Sequence, residues 1–261
     1  MDRDREQKIL EKLDQDGYVK VSELSRVLNC TEVTLRRDLK NLDQRGLLKK
    51  VHGGAVKIGN NFVHNNVKEA FYQKLYEKME IAKVAFDKIM PGETIIIDDA
   101  STCIHLAGTI ANSPDKYLKV VTNSVIVAEK LLDYSHVEIM MVGGSVSRNL
   151  GATEGAAALS QLAKLQADKA FIGVNGIDFK TGITLTGYPQ QKIKQKMMEI
   201  SKESFILADS SKFGMSYMSF LCPINRPTAI ITDKNVDQAV LEQAEREKIQ
   251  IFTKCLEPKI K

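Results

Sequence analysis

The sequence predicts an α/β protein, with an N-terminal winged helix-turn-helix followed by a larger, mainly parallel α/β domain. Two observations support this fold class. Up to Ala55 the chain shows helix, helix, turn, basic helix and hairpin patterns in the order of a winged helix-turn-helix. Beyond Gly92, short β-branched runs alternate with helical stretches, and strands separated by helices need the crossover connections of a parallel sheet.

Length and composition are those of a globular chain with room for more than one domain. Of its 261 residues, 43% are hydrophobic and 27% are charged, which favours one large domain or two unequal ones, and we expect two. No apolar run approaches the roughly 20 residues that a membrane helix needs. The segment from Met1 to Glu6 alternates charges where a secretory signal would be apolar. We therefore expect a cytoplasmic protein without membrane contact.

Cysteine spacing and net charge limit which metal, disulfide and nucleic-acid sites the sequence predicts. Four cysteines lie far apart in the sequence, so neither a zinc cluster nor a disulfide framework is predicted. They are Cys30, Cys103, Cys222 and Cys255. The net charge of +4 is mild for this length, so any surface for nucleic acid has to be local.

The first elements follow from apolar spacing. A helix is predicted from Arg3 to Leu13, and Asp16-Gly17 ends it. Tyr18 to Val21 has the composition of a very short strand. Ser22 is placed to open a second helix, and Asn29-Cys30 forms the turn before the next one.

The segment from Thr31 to Leu42 predicts a helix with one apolar and one cationic face. At roughly 100° per residue, Leu35, Leu39 and Leu42 fall on one side, and Thr31 stands at the N-cap position. The opposite side is basic and suits a major groove, because arginine bonds guanine edges or phosphates. An ordinary amphipathic helix with a solvated polar face is the alternative.

A basic hairpin is predicted from Leu47 to Ala55, after Gly46, which suits the left-handed position at a helix end. Helix and hairpin together supply the candidate DNA-contacting residues, which are Thr31, Val33, Thr34, Arg36, Arg37, Lys40, Lys49, Lys50 and His52.

These motifs resemble the N-terminal signature of the DeoR family of bacterial transcriptional regulators. The resemblance rests on Thr31-Glu32-Val33-Thr34-Leu35-Arg36-Arg37-Asp38-Leu39, then Gly46-Leu47, then His52-Gly53-Gly54-Ala55. It is specific, because a two-arginine helix and a wing ending in a glycine pair coincide at fixed spacing. The resemblance implies double-stranded operator DNA as a partner and weighs against the solvated-helix alternative.

The chain between Val56 and Asn66 lacks periodicity, so we place the linker there, near Gly59. The pattern from Lys68 to Met90 fits one long helix or two, ended by Pro91-Gly92. The predicted domains are a winged helix-turn-helix (1–58), a linker and connecting helix (59–76) and an α/β domain (77–261).

Apolar runs predict six strands of the α/β domain. They are Thr94 to Ile97, Val120 to Thr122, Val137 to Val142, Ala170 to Gly173, Phe205 to Ala208 and Ala229 to Thr232. Ligands of parallel sheets gather at the carboxyl ends of the strands, where small residues, hydroxyls and helix N-termini suit a phosphate. Lys212 or Arg148 would supply full charge. Each loop taken alone is also compatible with an ordinary turn.

The same loops resemble the DeoR-family sensor domain and, more remotely, ribose-5-phosphate isomerase. Ala100 stands where family members carry a glycine, and Gln190 stands where they commonly carry a glutamate, whereas Lys194 matches. The resemblance implies a phosphorylated sugar as effector. The residues expected to bind it are Asp98, Ser101, Thr102, Thr122, Asn123, Ser124, Gly143, Gly144, Arg148, Asn175, Gly176, Asp178, Gln190, Lys194, Ser211 and Lys212.

Metal and cofactor chemistry is not predicted. Asp98, Asp99 and Asp178 are conceivable metal ligands, but no histidine accompanies them and His105 lies at a lone helical position. We expect no cofactor and no metal.

The sequence therefore predicts a DNA-binding regulator, and the resemblance implies a repressor of a sugar-catabolic operon that forms a homo-oligomer, either a dimer or a tetramer. One alternative is a sugar-phosphate isomerase with an appended DNA-binding module. The amide of Gln190 argues against that enzyme because it lacks the basicity needed to shuttle a proton. A regulator whose second domain only oligomerises is a further alternative.

Overall fold

The computed structural model describes residues 3–16, 18–51, 53–56 and 65–253. The chain forms two compact units, Met1–Phe62 and Val63–Lys261. Of the predicted linker between Val56 and Asn66, residues 57–64 lie outside the described residues. Val56 ends a strand of the first unit, and Asn65 and Asn66 begin a helix of the second unit.

The first unit is a winged helix-turn-helix, as the sequence predicts. Its elements are α1 (Arg3–Asp16), β1 (Tyr18–Lys20), α2 (Val21–Val27), α3 (Glu32–Gln44), β2 (Lys49–Val51) and β3 (Gly54–Val56). The three strands form an antiparallel sheet in the order β1-β3-β2. Fully buried side chains from α1, α3 and the start of the hairpin, among them Ile9, Leu35 and Leu48, form its core.

Helix α2 begins at Val21, one residue before Ser22, which was predicted to open it. The backbone N–H of Val21 donates to the carbonyl of Gly53 at 2.9 Å, which holds the helix start against the hairpin. Ser22 therefore lies inside the first turn of α2 and does not cap it. The N-cap is Lys20, the last residue of β1, and it makes no side-chain cap bond.

The second unit has a central parallel sheet covered by helices. Its helices are α4 (Asn65–Tyr72), α5 (Leu75–Asp87), α6 (Ser101–Ala111), α7 (Val125–Leu131), α8 (Ala156–Leu162), α9 (Tyr188–Glu199) and α10 (Gln238–Arg246). Its strands are β4 (Thr94–Ile97), β5 (Leu118–Thr122), β6 (Val137–Met141), β7 (Ser145–Ser147), β8 (Ala152–Glu154), β9 (Ala167–Gly173), β10 (Gly176–Asp178), β11 (Gly182–Leu185), β12 (Ser201–Leu207), β13 (Ser219–Cys222), β14 (Ala229–Ile231) and β15 (Ile251–Phe252).

Seven parallel strands form the main sheet in the order β15-β14-β12-β9-β4-β5-β6. Alternate residues of these strands enter two separate cores, as the two-residue period of a strand requires. Ile95 and Ile97 pack into one core with α5 and α6, while Ile96 packs into the other with α8 and α9. The sheet therefore has helices on both faces, which is the predicted α/β arrangement.

The region from Lys68 to Met90 forms two helices, because the chain breaks between Tyr72 and Leu75. Lys74 adopts a left-handed conformation, with φ of 54°, which a continuous helix does not allow. Helix α4 belongs to the second unit, where Val67 joins the core on the α5 and α6 side of the sheet.

Two small antiparallel sheets lie outside the predicted strands. One has the order β10-β11-β13 and the other pairs β7 with β8. Their strands are three or four residues long and contain glycine or polar residues, so they lack the apolar runs that predicted the strands of the main sheet. None of the helices in the described ranges is both long enough and apolar enough to cross a membrane.

Candidate functional site

Helix α3 carries the cationic face of the first unit. The hydroxyl of Thr31 accepts the backbone N–H of Thr34 at 3.2 Å, which caps the helix start as predicted. On the opposite side from the buried leucines, Val33 is 78% exposed. Arg36, Arg37 and Lys40 are also exposed, so the basic side chains are accessible to a groove.

Two ion pairs hold α3 against the rest of the first unit. Asp38 is buried, and its carboxylate accepts Nε of Arg5 in α1 at 2.6 Å. Asp38 therefore belongs to the packed side of α3, although the sequence places it beside the cationic face. At the other end of the helix, Arg45 pairs with Glu6 at 2.7 Å. These contacts fix the direction in which the cationic face points.

The hairpin lies beside the end of α3. The backbone N–H of Lys50 donates to the carboxylate of Asp43 at 3.0 Å, which joins the hairpin to the helix. The side chain of Lys50 is exposed. Lys49 belongs to β2, but its side chain and the whole of His52 lie outside the described residues, so their predicted role stays a prediction.

The second unit contains a cavity of about 200 Å³ at the carboxyl ends of three neighbouring strands, β4, β9 and β12. Helices α4, α5 and α9 and the turn between β7 and β8 complete its wall. The predicted residues that line it are Ser101, Thr102, Asn175, Gln190, Lys194 and Lys212. The fold thus brings together residues that are more than 100 positions apart in the chain.

A buried ion pair forms the floor beside this cavity. The ammonium of Lys194 bonds the carboxylate of Asp98 and lies 3.4 Å from that of Asp99. Burial lowers the pKa of Lys194, but the two carboxylates outweigh this effect and hold the pKa above its ordinary value. Lys194 therefore stays charged and occupies the space between the carboxylates that a metal ion would need.

Asp98 is a structural anchor. It is completely buried, and it also accepts the backbone N–H groups of Ala100 and Gly173, each at 2.9 Å. These bonds join the ends of β4 and β9. The expectation that Asp98 binds the effector is therefore corrected, because its oxygens are enclosed by the protein and it does not line the cavity.

Asp99 and Gln190 form a polar pair at the wall of the cavity. The amide nitrogen of Gln190 donates to the carboxylate of Asp99 at 2.7 Å. Gln190 thereby fixes the direction of the carboxylate, and the remaining oxygen of Asp99 faces Lys194. The arrangement suits recognition of hydroxyl groups, since it offers an amide and a carboxylate side by side.

The N-terminus of α6 opens into the cavity. Its N-cap, Ala100, makes no side-chain cap bond, and Ser101 and Thr102 follow at the wall. Unpaired backbone N–H groups at a helix N-terminus favour an anion. Lys78 and Lys212 line the same cavity and add full positive charge.

Three predicted residues at the end of β5 lie elsewhere. Thr122 donates to the carbonyl of Ile97 at 2.6 Å, Asn123 donates to the carbonyl of Thr153 at 3.1 Å, and Ser124 caps α7. All three are buried and hold their own loop. Strand β5 adjoins β4 on the side away from β9, which removes its end from the cavity.

The remaining predicted residues also have structural places outside the cavity wall. Gly143 bonds Gln161, Gly144 lies against the backbone of Glu154, Gly176 lies against the backbone of Met215, and Asp178 accepts the N–H groups of Lys180 and Thr181 in a turn. Arg148 and Ser211 are exposed. Asp178 does not line the cavity, and its expected contact with the effector stays a prediction.

Sequence reasoning missed several residues of the cavity, which are Gln73, Lys78, Asp99, Asn149, Thr186 and Asp209. The signal for Lys78 was present. It falls three residues after Leu75 and three before Ile81, on the apolar side of α5, where a lysine needs a reason.

Comparisons with known proteins agree with this two-unit arrangement. The model of the DeoR-like helix-turn-helix domain matches residues 5–60, and the model of the DeoR C terminal sensor domain matches residues 73–234.

Relatives match along most of the chain. The uncharacterized HTH-type transcriptional regulator FruR of Bacillus subtilis is 33% identical over 230 residues, which are 88% of this chain and 90% of that protein. The HTH-type transcriptional repressor GlcR of the same species is 29% identical and covers 94% and 93%. The glycerol-3-phosphate regulon repressor of Escherichia coli is 28% identical and covers 93% and 95%.

Solved structures match more weakly. A ribose 5-phosphate isomerase A from Methanocaldococcus jannaschii is 16% identical, with a TM-score of 0.39 over 52% of this chain and 53% of that chain. A likeness at this level carries no argument about activity.

Proposed function

This chain belongs to the DeoR family of transcriptional regulators, and we propose that it is a cytoplasmic repressor of a sugar-catabolic operon, released or retained by a phosphorylated sugar bound in the cavity of the second unit. The observation that carries the effector part is the cavity itself. It combines three lysines and a helix N-terminus with two carboxylates and amides.

The phosphate is proposed to lie at the N-terminus of α6. Ser101 and Thr102 would supply hydroxyl and backbone donors, and Lys78 and Lys212 would supply charge. Of the phosphate-binding loops predicted from sequence, the one at Ser101 and the one at Lys212 are supported. The loop at Thr122 is not, since its hydroxyl is enclosed.

The sugar is proposed to lie between α9 and the turn that follows β9. Asp99 and Gln190 form one side, and Asn175 forms another, with its carbonyl oxygen accepting the N–H of Thr186 at 3.1 Å. That bond leaves the amide N–H₂ of Asn175 for a hydroxyl in the cavity. The name of the Escherichia coli relative supports glycerol 3-phosphate as one of the first compounds to test.

DNA binding is proposed for the cationic face of α3 together with the hairpin. Thr31, Val33, Thr34, Arg36, Arg37, Lys40, Lys49, Lys50 and His52 remain the proposed contact residues. The exposure of Val33, Arg36, Arg37 and Lys40 supports the helix part of this set.

The isomerase alternative is not favoured by the contacts in the cavity. Candidates for a proton-shuttling base include Asp98, Asp99 and residue 190. Asp98 is buried under Lys194, Asp99 is held by Gln190, and an amide at position 190 has no useful basicity. We propose that interconversion of ribose 5-phosphate and ribulose 5-phosphate stays at the rate measured without protein.

Thermal denaturation with a panel of compounds tests the effector proposal. Ribose 5-phosphate, glucose 6-phosphate, fructose 6-phosphate and glycerol 3-phosphate are each compared with the unphosphorylated compound and with inorganic phosphate. At least one phosphorylated compound should raise the melting temperature more than its unphosphorylated partner, because a ligand of the folded state stabilises it. Equal melting temperatures throughout, across a wider panel of sugar phosphates too, would reject the sensor role of this cavity.

We also propose that the protein acts as a homo-oligomer, either a dimer or a tetramer. Tyr188 at the start of α9 and Met218 and Phe220 around β13 are 62%, 83% and 46% exposed, which supports a contact there. Light scattering after size-exclusion chromatography measures the mass directly. A monomer at working concentration contradicts this proposal.

A further inference from the structure

The ammonium of Lys78 joins two elements at the edge of the cavity. Lys78 lies in the first turn of α5 and is only 5% exposed. Its Nζ bonds the carbonyl of Ala70 in α4 and donates to the hydroxyl of Ser101 in α6 at 2.8 Å. One lysine thus touches both the end of α4 and the start of α6, where the anion is proposed to bind.

This buried ammonium lacks a counter-charge at contact distance among the described residues. Both of its hydrogen-bond partners, the carbonyl of Ala70 and the hydroxyl of Ser101, are neutral acceptors, and an ammonium has three donors. Burial lowers the pKa of Lys78 to about 8; the charge of Lys212 lowers it further, whereas Asp209 and Glu77 act in the opposite direction. An anion between Lys78 and Lys212 would offset the cost of burying the ammonium and would reduce the repulsion between the two lysines.

The carbonyl of Ala70 belongs to the last turn of α4, where helix carbonyls lack partners within the helix. The next carbonyl, that of Phe71, bonds Nε2 of His105 in α6 at 3.1 Å, and the ring of Phe71 stacks on the imidazole. Two side chains from other helices therefore hold the end of α4. A helix of eight residues needs such contacts, because it is marginal by itself.

Helix α4 also forms part of the cavity wall. Val67 and Ala70 line it, and Gln73 follows directly after the helix. In the sequence α4 comes directly after the segment 57–64 that leads from the first unit. A ligand that changes how firmly α4 is held acts on the first element of the second unit.

We propose that Lys78 is an effector-binding residue that connects the phosphate of the ligand to the end of α4, so that a filled cavity holds this helix more firmly. The third donor of the ammonium bonds the phosphate while the bond to Ala70 persists and strengthens, because the anion keeps Lys78 fully charged. This inference rests on the proposed function, since it requires an anionic ligand in the cavity.

Hydrogen exchange of the full-length chain tests the proposal. The amides of α4 are followed without ligand, and at saturation with whichever of ribose 5-phosphate, glucose 6-phosphate, fructose 6-phosphate or glycerol 3-phosphate raises the melting temperature. In the wild type, these amides should exchange several-fold more slowly when ligand is bound. Lys78→Met should weaken binding about 10- to 100-fold and, at saturation, should show no slowing in α4.

Two matched variants separate this role from a general loss of charge. Lys83→Met removes an exposed lysine of the same helix and should behave as the wild type. Lys212→Met should weaken binding yet keep the slowing of α4 at saturation, because the bond from Lys78 to Ala70 is intact. Lys78 and Lys212 are thus distinguished by the exchange of the α4 amides and not by affinity.

The outcomes are separable. If no sugar phosphate binds the wild type, the proposed function fails and this inference fails with it. If a compound binds but the α4 amides are unchanged, or if Lys78→Met keeps the slowing, only this inference is overturned. Should Lys78→Met fail to fold, the wild-type comparison with and without ligand still decides whether α4 is held by the filled cavity.

Discussion

Ala100 and Gly173 face each other so closely that a Cβ placed on Gly173 would lie 2.1 Å from the Cβ of Ala100. Ala100 lies in the turn after β4 and Gly173 is the last residue of β9, and Asp98 joins the two strand ends. Ala100 stands where the family pattern has glycine. Its methyl group therefore occupies the space that a side chain at position 173 would need. Residue 100 and residue 173 should vary together.

Gly173→Ala should destabilise the protein by about 2–3 kcal/mol, the upper part of the roughly 1–3 kcal/mol that overpacking a close-packed site costs. A change of this size in a chain of this length lowers the melting temperature by about 4–12 °C. Ala100→Gly removes the clash, so the double variant Ala100→Gly, Gly173→Ala should recover most of the loss. Thermal denaturation of the two single variants and the double variant measures the coupling. If Gly173→Ala and the double variant lower the melting temperature equally, the two side chains do not compete for this space.

The pair formed by Asp98 and Lys194 should be strongly coupled in stability. Lys194→Met leaves a buried carboxylate without its cation and should cost about 3–5 kcal/mol. Asp98→Asn combined with Lys194→Met removes both charges and should lose less than Lys194→Met alone. Urea denaturation of the single and double variants gives the coupling energy. Additive losses would mean that the carboxylate is stabilised by its backbone donors without help from the lysine.

Local patterns predicted much of the first unit because its features are decided within a few residues. The cap at Thr31 depends on Thr34, and the end of α3 depends on Gly46, whose φ is +70°. The apolar face of α3 follows from its own spacing. These features need no knowledge of the rest of the chain.

The membership of the cavity could be predicted only in part, because strand order is not contained in local patterns. Every parallel strand end looked equivalent in the sequence, but β9 and β12 lie on one side of β4 and β5 lies on the other. Asn175 therefore reaches the cavity, while Asn123 supports the loop of Thr153. Lys78 was missed because its burial depends on α4 and α6, which meet α5 only in the folded chain.

Acid should destabilise the second unit through His105. Burial lowers the pKa of this imidazole from 6.5 to about 4, although its bond to the carbonyl of Phe71 acts in the opposite direction. Between these two values the unfolded chain binds the proton and the folded chain does not, so stability rises with pH in this window. Above pH 6.5 the buried neutral imidazole costs no stability by this mechanism. The stability falls as the pH drops from 6.5 to about 4.

The size of this acid effect is at most about 3 kcal/mol, from 1.36 kcal/mol for each pKa unit. His105→Gln keeps a donor for the carbonyl of Phe71 but does not titrate, so its stability should fall less across the same window. Urea midpoints measured at several pH values for both proteins check this. Parallel curves for the wild type and the variant would assign the acid sensitivity to other groups.

DNA binding should depend on Arg36 and Arg37 without a change in folding. Arg36 pairs with Glu32 at 2.9 Å in this structure, and both arginines are exposed. Each replacement by alanine should cost about 1–3 kcal/mol of operator affinity, and binding should weaken steeply with salt. Because Arg36 must leave Glu32 to reach DNA, Arg37→Ala should have the larger effect.

Gel-shift titrations against operator DNA measure these losses, with Lys164→Ala, in the turn after α8, as a charge-matched control. That exposed lysine lies in the second unit, and its loss should leave binding unchanged. If the double variant Arg36→Ala, Arg37→Ala binds operator as tightly as the wild type, α3 does not present the reading face.

Lys212→Ala should separate effector sensing from DNA binding. Lys212 lines the cavity at the end of the short helical turn Ser210–Lys212, and none of the proposed DNA contacts lies in the second unit. Its loss removes a charge-assisted bond to phosphate and should weaken the sugar phosphate by about 1.5–3 kcal/mol. Operator affinity without ligand should equal that of the wild type, whereas the response to ligand should move to about 10- to 100-fold higher concentration.

Lys180→Ala, in the exposed turn after β10, is the matched control and should respond as the wild type does. Gel-shift titrations with the sugar phosphate that stabilises the wild type give both quantities, and a response of Lys212→Ala at wild-type concentrations would place the phosphate elsewhere.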